Sequence, residues 1–292
     1  MRHAVLGAGG VGGLLGACLS HTGDSVTLVV RPETVAQTPR ILRLKSPFGD
    51  FQTDVAIAAE VPPADVLWIA VKATQLEAAI TALRRPQDVS AIVPVLNGVD
   101  HVAMLRTRYP SDQVIPATIG VESERVGPGH IVHRSPFARL SVSSVGRSAL
   151  SSTLDHLQRL GFKCQFVDDE PTLMWGKLVF LAPVALTTSA ADRPIGGIVS
   201  DPVWKAQLES CVREACAVAL AEGAKVDPAT VLASAVGMPP GLRSSMQKDV
   251  EQHRPPELDA IAGPILRGAR RHNIPAPTTQ QLVEAVAKRV QG

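Results

Sequence analysis

Residues able to do chemistry stand at three places in this 292-residue chain. The first is the run Gly7-Ala8-Gly9-Gly10-Val11-Gly12, which follows the apolar Val5-Leu6 and precedes a helical pattern of Leu14, Leu15, Ala17, Cys18 and Leu19. In that strand–turn–helix setting, Gly-x-Gly-x-x-Gly is the spacing of a dinucleotide-binding loop. Gly7 permits the tight turn, Gly9 lets backbone approach a pyrophosphate, and Gly12 lets the helix pack closely on the strand. The free N–H groups opening the helix, with its dipole behind them, then face the phosphates. A glycine-rich turn of some other βα unit is the alternative, and the flanking elements weigh against it.

The second place is Arg31, just past the strand-like Ser25-Val26-Thr27-Leu28-Val29-Val30. An NAD enzyme commonly has an acid at this tip to accept from the ribose 2′-OH, whereas a base accommodates the 2′-phosphate of NADP. The tip shows no acid and does show Arg31, which favours NADP over a merely solvated arginine. The third place is Lys177, within the apolar Met174-Trp175-Gly176-Lys177-Leu178-Val179-Phe180. A desolvated ammonium has a lowered pKa and suits a proton donor at neutral pH. A lysine snorkelling to the surface near a helix start is the other reading.

The elements that must position these groups follow from periodicity. After the first helix, stopped near Gly23, come the buried strand 25–30 and a hairpin over 41–58. Buried strands at 65–71 and 91–96 end in Lys72 and in Asn97-Gly98, on either side of a helix from Leu76 to Leu83. Ligands bind outside the carboxyl ends of such strands, so both tips are candidates, against a solvated lysine and a plain turn. Strand 114–121 follows, then a turn feeding Ile131-Val132-His133, with which Leu140–Ser143 is expected to pair. A helix over 151–160 and a strand over 164–167 close the domain. His130 and His133 have no partners at metal spacing and read as structural.

From Thr172 onward helical signals dominate. The helix from Leu173 is expected to kink or break at Pro183. A long helix starts at Asp201-Pro202, another at Glu257 and a last one at Gln280, with Ser244-Ser245-Met246-Gln247-Lys248-Asp249 between them. The division expected is 1–168 and 169–292.

Composition excludes several classes. A net charge of +2 and 3% aromatics argue against nucleic acid or an anionic membrane as the main partner. The four cysteines form no metal or redox pair and suit a reducing compartment. The N-terminal apolar run is too glycine-rich for a good secretory core, and no membrane span is expected.

Taken together, Gly7-x-Gly9-x-x-Gly12, Arg31, Lys72, Asn97-Gly98, Lys177-Leu178, Ser244-Ser245-Met246 with Asp249, and Glu257 resemble the ketopantoate reductases (2-dehydropantoate 2-reductases) over nearly the whole chain. The resemblance implies an α/β Rossmann-type N-terminal domain and an all-α C-terminal domain, 6-phosphogluconate-dehydrogenase-like, with NADPH and a small keto-acid substrate in the cleft between them. It implies cofactor contacts from the loop Gly7, Ala8, Gly9, Gly10, Val11 and Gly12, from Arg31 at the 2′-phosphate, and from Lys72 and Asn97. It implies substrate contacts from Asn97 and Ser245, a general acid in Lys177, and Glu257 organising that lysine. It further implies a cytoplasmic enzyme of pantothenate biosynthesis, and a homodimer is compatible with it. One departure bears on the substrate. The family helix usually carries asparagines four and eight residues after the lysine, and here Leu181 and Ala185 stand there. A reductase of a more apolar ketone is therefore an alternative, and a non-catalytic NADPH sensor would need neither Lys177 nor Glu257.

Overall fold

The structure, a computed structural model, describes residues 1–291. By its contacts the chain divides into two units, Met1–Leu96 with His101–Asp168, and Asn97–Asp100 with Asp169–Gly292.

The first unit contains β1 (Arg2–Leu6), α1 (Gly10–His21), β2 (Ser25–Val29), β3 (Ile41–Lys45), β4 (Phe51–Asp54), β5 (Ala56–Ala58), β6 (Ala64–Ile69), α2 (Leu76–Ala79) and β7 (Val89–Pro94). It continues through α3 (Asp100–Arg106), β8 (Ala117–Gly120), β9 (Ser123–Gly127), β10 (His130–His133), β11 (Arg139–Ser143), α4 (Arg147–Arg159) and β12 (Lys163–Val167). Five parallel strands run in the order β5-β2-β1-β6-β7. Their near-continuous apolar character is that of a sheet covered on both faces, and Val5, Leu28, Leu67, Trp68 and Ile92 are fully buried. The chain leaves β1 toward β2 and comes back on its other side at β6. The topological switch, where open α/β sheets bind ligands, thus lies between β1 and β6.

Two smaller sheets, β4-β3-β10-β9 and β12-β11-β8, complete the unit. The hairpin expected over 41–58 is β3–β4, after which β5 joins the main sheet beside β2. The expected pairing of Leu140–Ser143 with Ile131–His133 does not form. Both edges of β10 are already taken, by β9 across the tight turn at Gly129 and by β3. β11 therefore pairs with β12 and β8. The helix expected to Leu83 shortens to α2 and then tightens into a 3-10 turn over Ile80–Ala82.

The second unit is helical: α5 (Glu170–Ala191), α6 (Ile195–Val199), α7 (Pro202–Ala221), α8 (Pro228–Val236), α9 (Ser245–Glu251), α10 (Leu258–His272) and α11 (Pro277–Gln291). Asp169, Asp201, Asp227 and Ser244 cap α5, α7, α8 and α9 by accepting from N–H groups of their first turns. Each such cap is worth about 1 kcal/mol. α6 and α8 are too short and too weakly periodic to stand out in the sequence.

α5 is the core of this unit, with Val179, Ala182 and Leu186 fully buried. Of the kink or break expected at Pro183, the break does not occur: the helix is continuous from Glu170 to Ala191. Proline removes its own N–H bond and crowds the carbonyl four residues back, and packing of α5 against its neighbours outweighs that cost. The hydroxyls of Thr187 and Thr188 donate back to the carbonyls of Pro183 and Val184, each at 2.7 Å. α5 is also long and apolar enough to cross a membrane, but 72% of its apolar window is buried inside the unit, as in a core helix.

Candidate active site

The glycine loop leaves β1 and enters α1 in the first unit. Gly7 has φ +103°, and a Cβ there would lie 2.8 Å from Val71 Cγ1 and 3.0 Å from the Ala70 carbonyl oxygen. A Cβ on Gly12 would fall on the carbonyl oxygen of Gly7. These two glycines have the tight-turn and close-packing tasks that the spacing assigns them. Gly9 differs, because a Cβ there meets nothing within 4 Å. Its backbone borders open space next to the first turn of α1, which has neither a side-chain cap nor an acidic residue. The loop therefore offers free N–H groups and a cradle at the switch point, which fits a dinucleotide pyrophosphate. Strand β9 adds a support that the sequence did not announce. Ser123 Oγ donates to the Gly10 carbonyl at 2.9 Å, and a Cβ on Gly10 would strike the Ser123 carbonyl.

Arg31 follows β2 and is 79% exposed, with its Nε 3.5 Å from Glu33 Oε1. An acid, Glu33 of the 3-10 turn Pro32–Gln37, thus stands beside the base, two residues on. Lys72, half-buried, follows β6 and opens the 3-10 turn Ala73–Gln75.

Asn97, Lys177 and Glu257 come together in the second unit. Lys177 lies in the second turn of α5, and its Nζ donates to Asn97 Oδ1 at 2.9 Å. Asn97 Nδ2 in turn donates to Glu257 Oε2 at 3.1 Å. Glu257 is 8% exposed, at the N-cap position of α10. One amide thus separates a cation from an anion, oxygen toward the ammonium and nitrogen toward the carboxylate. Burial pulls the Lys177 ammonium down to about 8, against the opposing pull of Glu257. A lysine at about 8 is an ammonium below that pH and can still give up its proton, the balance that general acid catalysis needs. The Lys177 side chain is half-buried, with its ammonium bonded to Asn97.

The Asn97 turn is fixed to α10. Gly98 has φ +86°, and a Cβ there would strike the carbonyl of Ala260. Asp100 accepts from Arg267 Nη2 at 2.5 Å. Ser245 is exposed in the first turn of α9, whereas its neighbour Ser244 is buried, capping α9 and hydrogen-bonded to Thr188 Oγ1 at 2.9 Å. Among the described residues no hydrogen bond joins Ser245 to the trio. Asp249, 5% exposed, accepts from Arg254 Nε at 2.9 Å and holds the loop after α9. Leu181 and Ala185 share the Lys177 face of α5, one half-buried and the other 1% exposed.

Residues 3–146 match the family profile described as ketopantoate reductase PanE/ApbA, and residues 171–290 match its C-terminal counterpart. The chain belongs to the ketopantoate reductase family. Members of this family are oxidoreductases. A 2-dehydropantoate 2-reductase of Caulobacter vibrioides is 30% identical over 291 residues, 96% of each chain. An uncharacterized oxidoreductase of Bacillus subtilis, YkpB, is 29% identical over 291 residues, again 96% of each. The crystal structure of a PanE/ApbA family ketopantoate reductase from Ralstonia eutropha JMP134 superposes with a TM-score of 0.88 at 26% identity, over 100% of this chain and 99% of that one. Family membership and the doubly wound first unit with its helical second unit agree.

Proposed function

We propose that this protein reduces a 2-keto acid to the 2-hydroxy acid with NADPH, and that the substrate is 2-dehydropantoate, giving pantoate in the cytoplasm. The observation that carries this reading is the chain Lys177–Asn97–Glu257 with the lysine at about 8. Gly7, Ala8, Gly9, Gly10, Val11 and Gly12 would hold the pyrophosphate, Arg31 the 2′-phosphate, and Lys72 and Asn97 further parts of the cofactor. When bound, the nicotinamide supplies hydride to the carbonyl carbon. As negative charge grows on the ketone oxygen, Lys177 stabilises it and gives up a proton, leaving alcohol and neutral amine. This interaction is stronger in the transition state than in the ground state and so accelerates the step. Lys177 then recovers its proton from water. Asn97 accepts one ammonium hydrogen and leaves the others for substrate, while Glu257 keeps the amide the right way round. Asn97 and Ser245 would contact the substrate.

Leu181 and Ala185 support a second reading, in which the same chemistry acts on a ketone with a more apolar tail. A site that lacks hydrogen-bond partners for a substrate hydroxyl discriminates poorly in its favour. The test is NADPH consumption with ketopantoate beside a panel of other 2-keto acids, in wild type and Lys177→Ala. Turnover is expected to be best on ketopantoate and to fall roughly 10²–10⁴-fold in Lys177→Ala. Best turnover on an apolar 2-keto acid would select the second reading. Turnover indifferent to Lys177→Ala would remove both.

A further inference from the structure

We infer that Arg267 is a positioning residue for the reducing site: by clamping the 97–100 turn onto α10 it sets where Asn97 meets Lys177 and Glu257. The roles this gives the trio rest on the proposed reduction; the clamp itself is geometric.

The guanidinium of Arg267 forks between two carboxylates, Nη1 to Asp259 Oδ1 at 2.7 Å and Nη2 to Asp100 Oδ2 at 2.5 Å. Asp259 lies eight residues earlier on the same helix, so the arginine must fold back along two turns of α10 to reach it. Gly263 is midway along that path. A Cβ on Gly263 would lie 2.6 Å from both terminal nitrogens of Arg267 and would strike Asp259 Oδ1. A glycine in a helix interior costs about 1 kcal/mol relative to alanine. Here the missing Cβ leaves the space in which the guanidinium and the Asp259 carboxylate meet.

Asp100 is three residues after Asn97, across the left-handed Gly98. The turn therefore touches α10 at Glu257 through Asn97, at Ala260 through Gly98 and at Arg267 through Asp100. The first of these bonds is the one that matters for chemistry, and the other two decide where it falls. An exposed ion pair contributes little to global stability. Placement is a different matter, since about 1 Å of misplacement can cost on the order of a hundredfold in rate.

The variants are Arg267→Met, Arg267→Lys and Gly263→Ala, the last of which keeps the arginine and blocks its path. One readout needs no substrate: the pH midpoint for acylation of Lys177 in the free protein, followed by peptide mass spectrometry across pH 6–11. Freed from the clamp, the turn admits water to Lys177 and lets Glu257, the charged group facing it, approach. Both effects favour the ammonium, so the midpoint is expected to rise by about half a pH unit or more in Arg267→Met and Gly263→Ala. Arg267→Lys, which keeps the charge but loses the fork, should fall between. Adding 1 M salt should move wild type toward Arg267→Met and leave that variant unchanged. The second readout is NADPH oxidation, where kcat should fall roughly tenfold with the KM for NADPH little changed. An unshifted midpoint in folded Arg267→Met and Gly263→Ala would overturn the clamp. Shifted midpoints with no turnover on any keto acid, wild type included, would keep the clamp and discard the reductase reading.

Discussion

The glycine loop and the Lys177 trio differ in how they are built. The loop's decisive residues lie within six positions, and each contact that constrains Gly7 and Gly12 comes from the same βα unit or the strand beside it. The trio joins residues 80 and 160 positions apart in sequence. The first site is a property of local backbone, and the second exists only once a helical core has formed and a four-residue turn from the sheet domain's chain has been fixed onto it. Substitutions in the loop should therefore separate folding from binding cleanly, while substitutions around the trio should show in rate and pH dependence.

The largest expected contrast is between two alanines three residues apart. Gly12→Ala puts a methyl on the Gly7 carbonyl and should cost several kcal/mol of stability, read as a fall in Tm, with loss of NADPH binding. Gly9→Ala meets no protein atom and has an ordinary φ of −80°, so its Tm should stay close to wild type, within the roughly 1 kcal/mol of stability that an N-cap alanine costs. Its NADPH affinity, measured by fluorescence titration, should nevertheless fall more than tenfold, because the methyl occupies the pyrophosphate's space. Equal loss of Tm in the two variants would erase the distinction between a packing glycine and a binding one.

The smaller effect concerns the strand tip. Arg31→Ala should reduce the preference for NADPH over NADH by roughly tenfold, through loss of a charge-assisted bond to the 2′-phosphate. Glu33→Gln should raise that preference two- to threefold at low salt, since Glu33 competes for the arginine at an exposed site. A preference unchanged by either substitution would separate this tip from cofactor choice.

How far each region could be read in the sequence follows from the same contrast. The β1–loop–α1 unit, the parallel strands and the start of α7 announce themselves, because strand runs, glycine spacing and an Asp-Pro start at Asp201-Pro202 act over a few residues. The pairing of β11 could not be read locally, since it depends on β10 having both edges filled, one of them by β3, which is distant in sequence. The continuity of α5 at Pro183 is hidden for a related reason: the helix-breaking tendency of proline is local, while the packing that overrides it comes from other helices. For the site, residue types marked Lys177 and Asn97 as candidates, but resemblance to a family was needed to place Glu257. Glu33 lies beyond the tip, in the 3-10 turn Pro32–Gln37, and no local spacing pairs it with Arg31. Arg267 left little signal, because Gly263, four positions from both Asp259 and Arg267, shares its helix with Pro264 and Gly268 and does not stand out.

The central claim is that Lys177 gives the proton in ketone reduction, and the measurement that tests it most directly is the pH dependence of kcat/KM for the keto acid, which reports groups of the enzyme before substrate binds. Only the ammonium can donate, and burial sets its pKa near 8, so kcat/KM should be level below about pH 7.5 and fall tenfold per unit above about 8.5. Lys177→Arg, whose cation stays charged throughout, should be slow and lack that fall. A wild-type profile that stays level to pH 9.5, or one that falls identically in Lys177→Arg, would contradict the assignment.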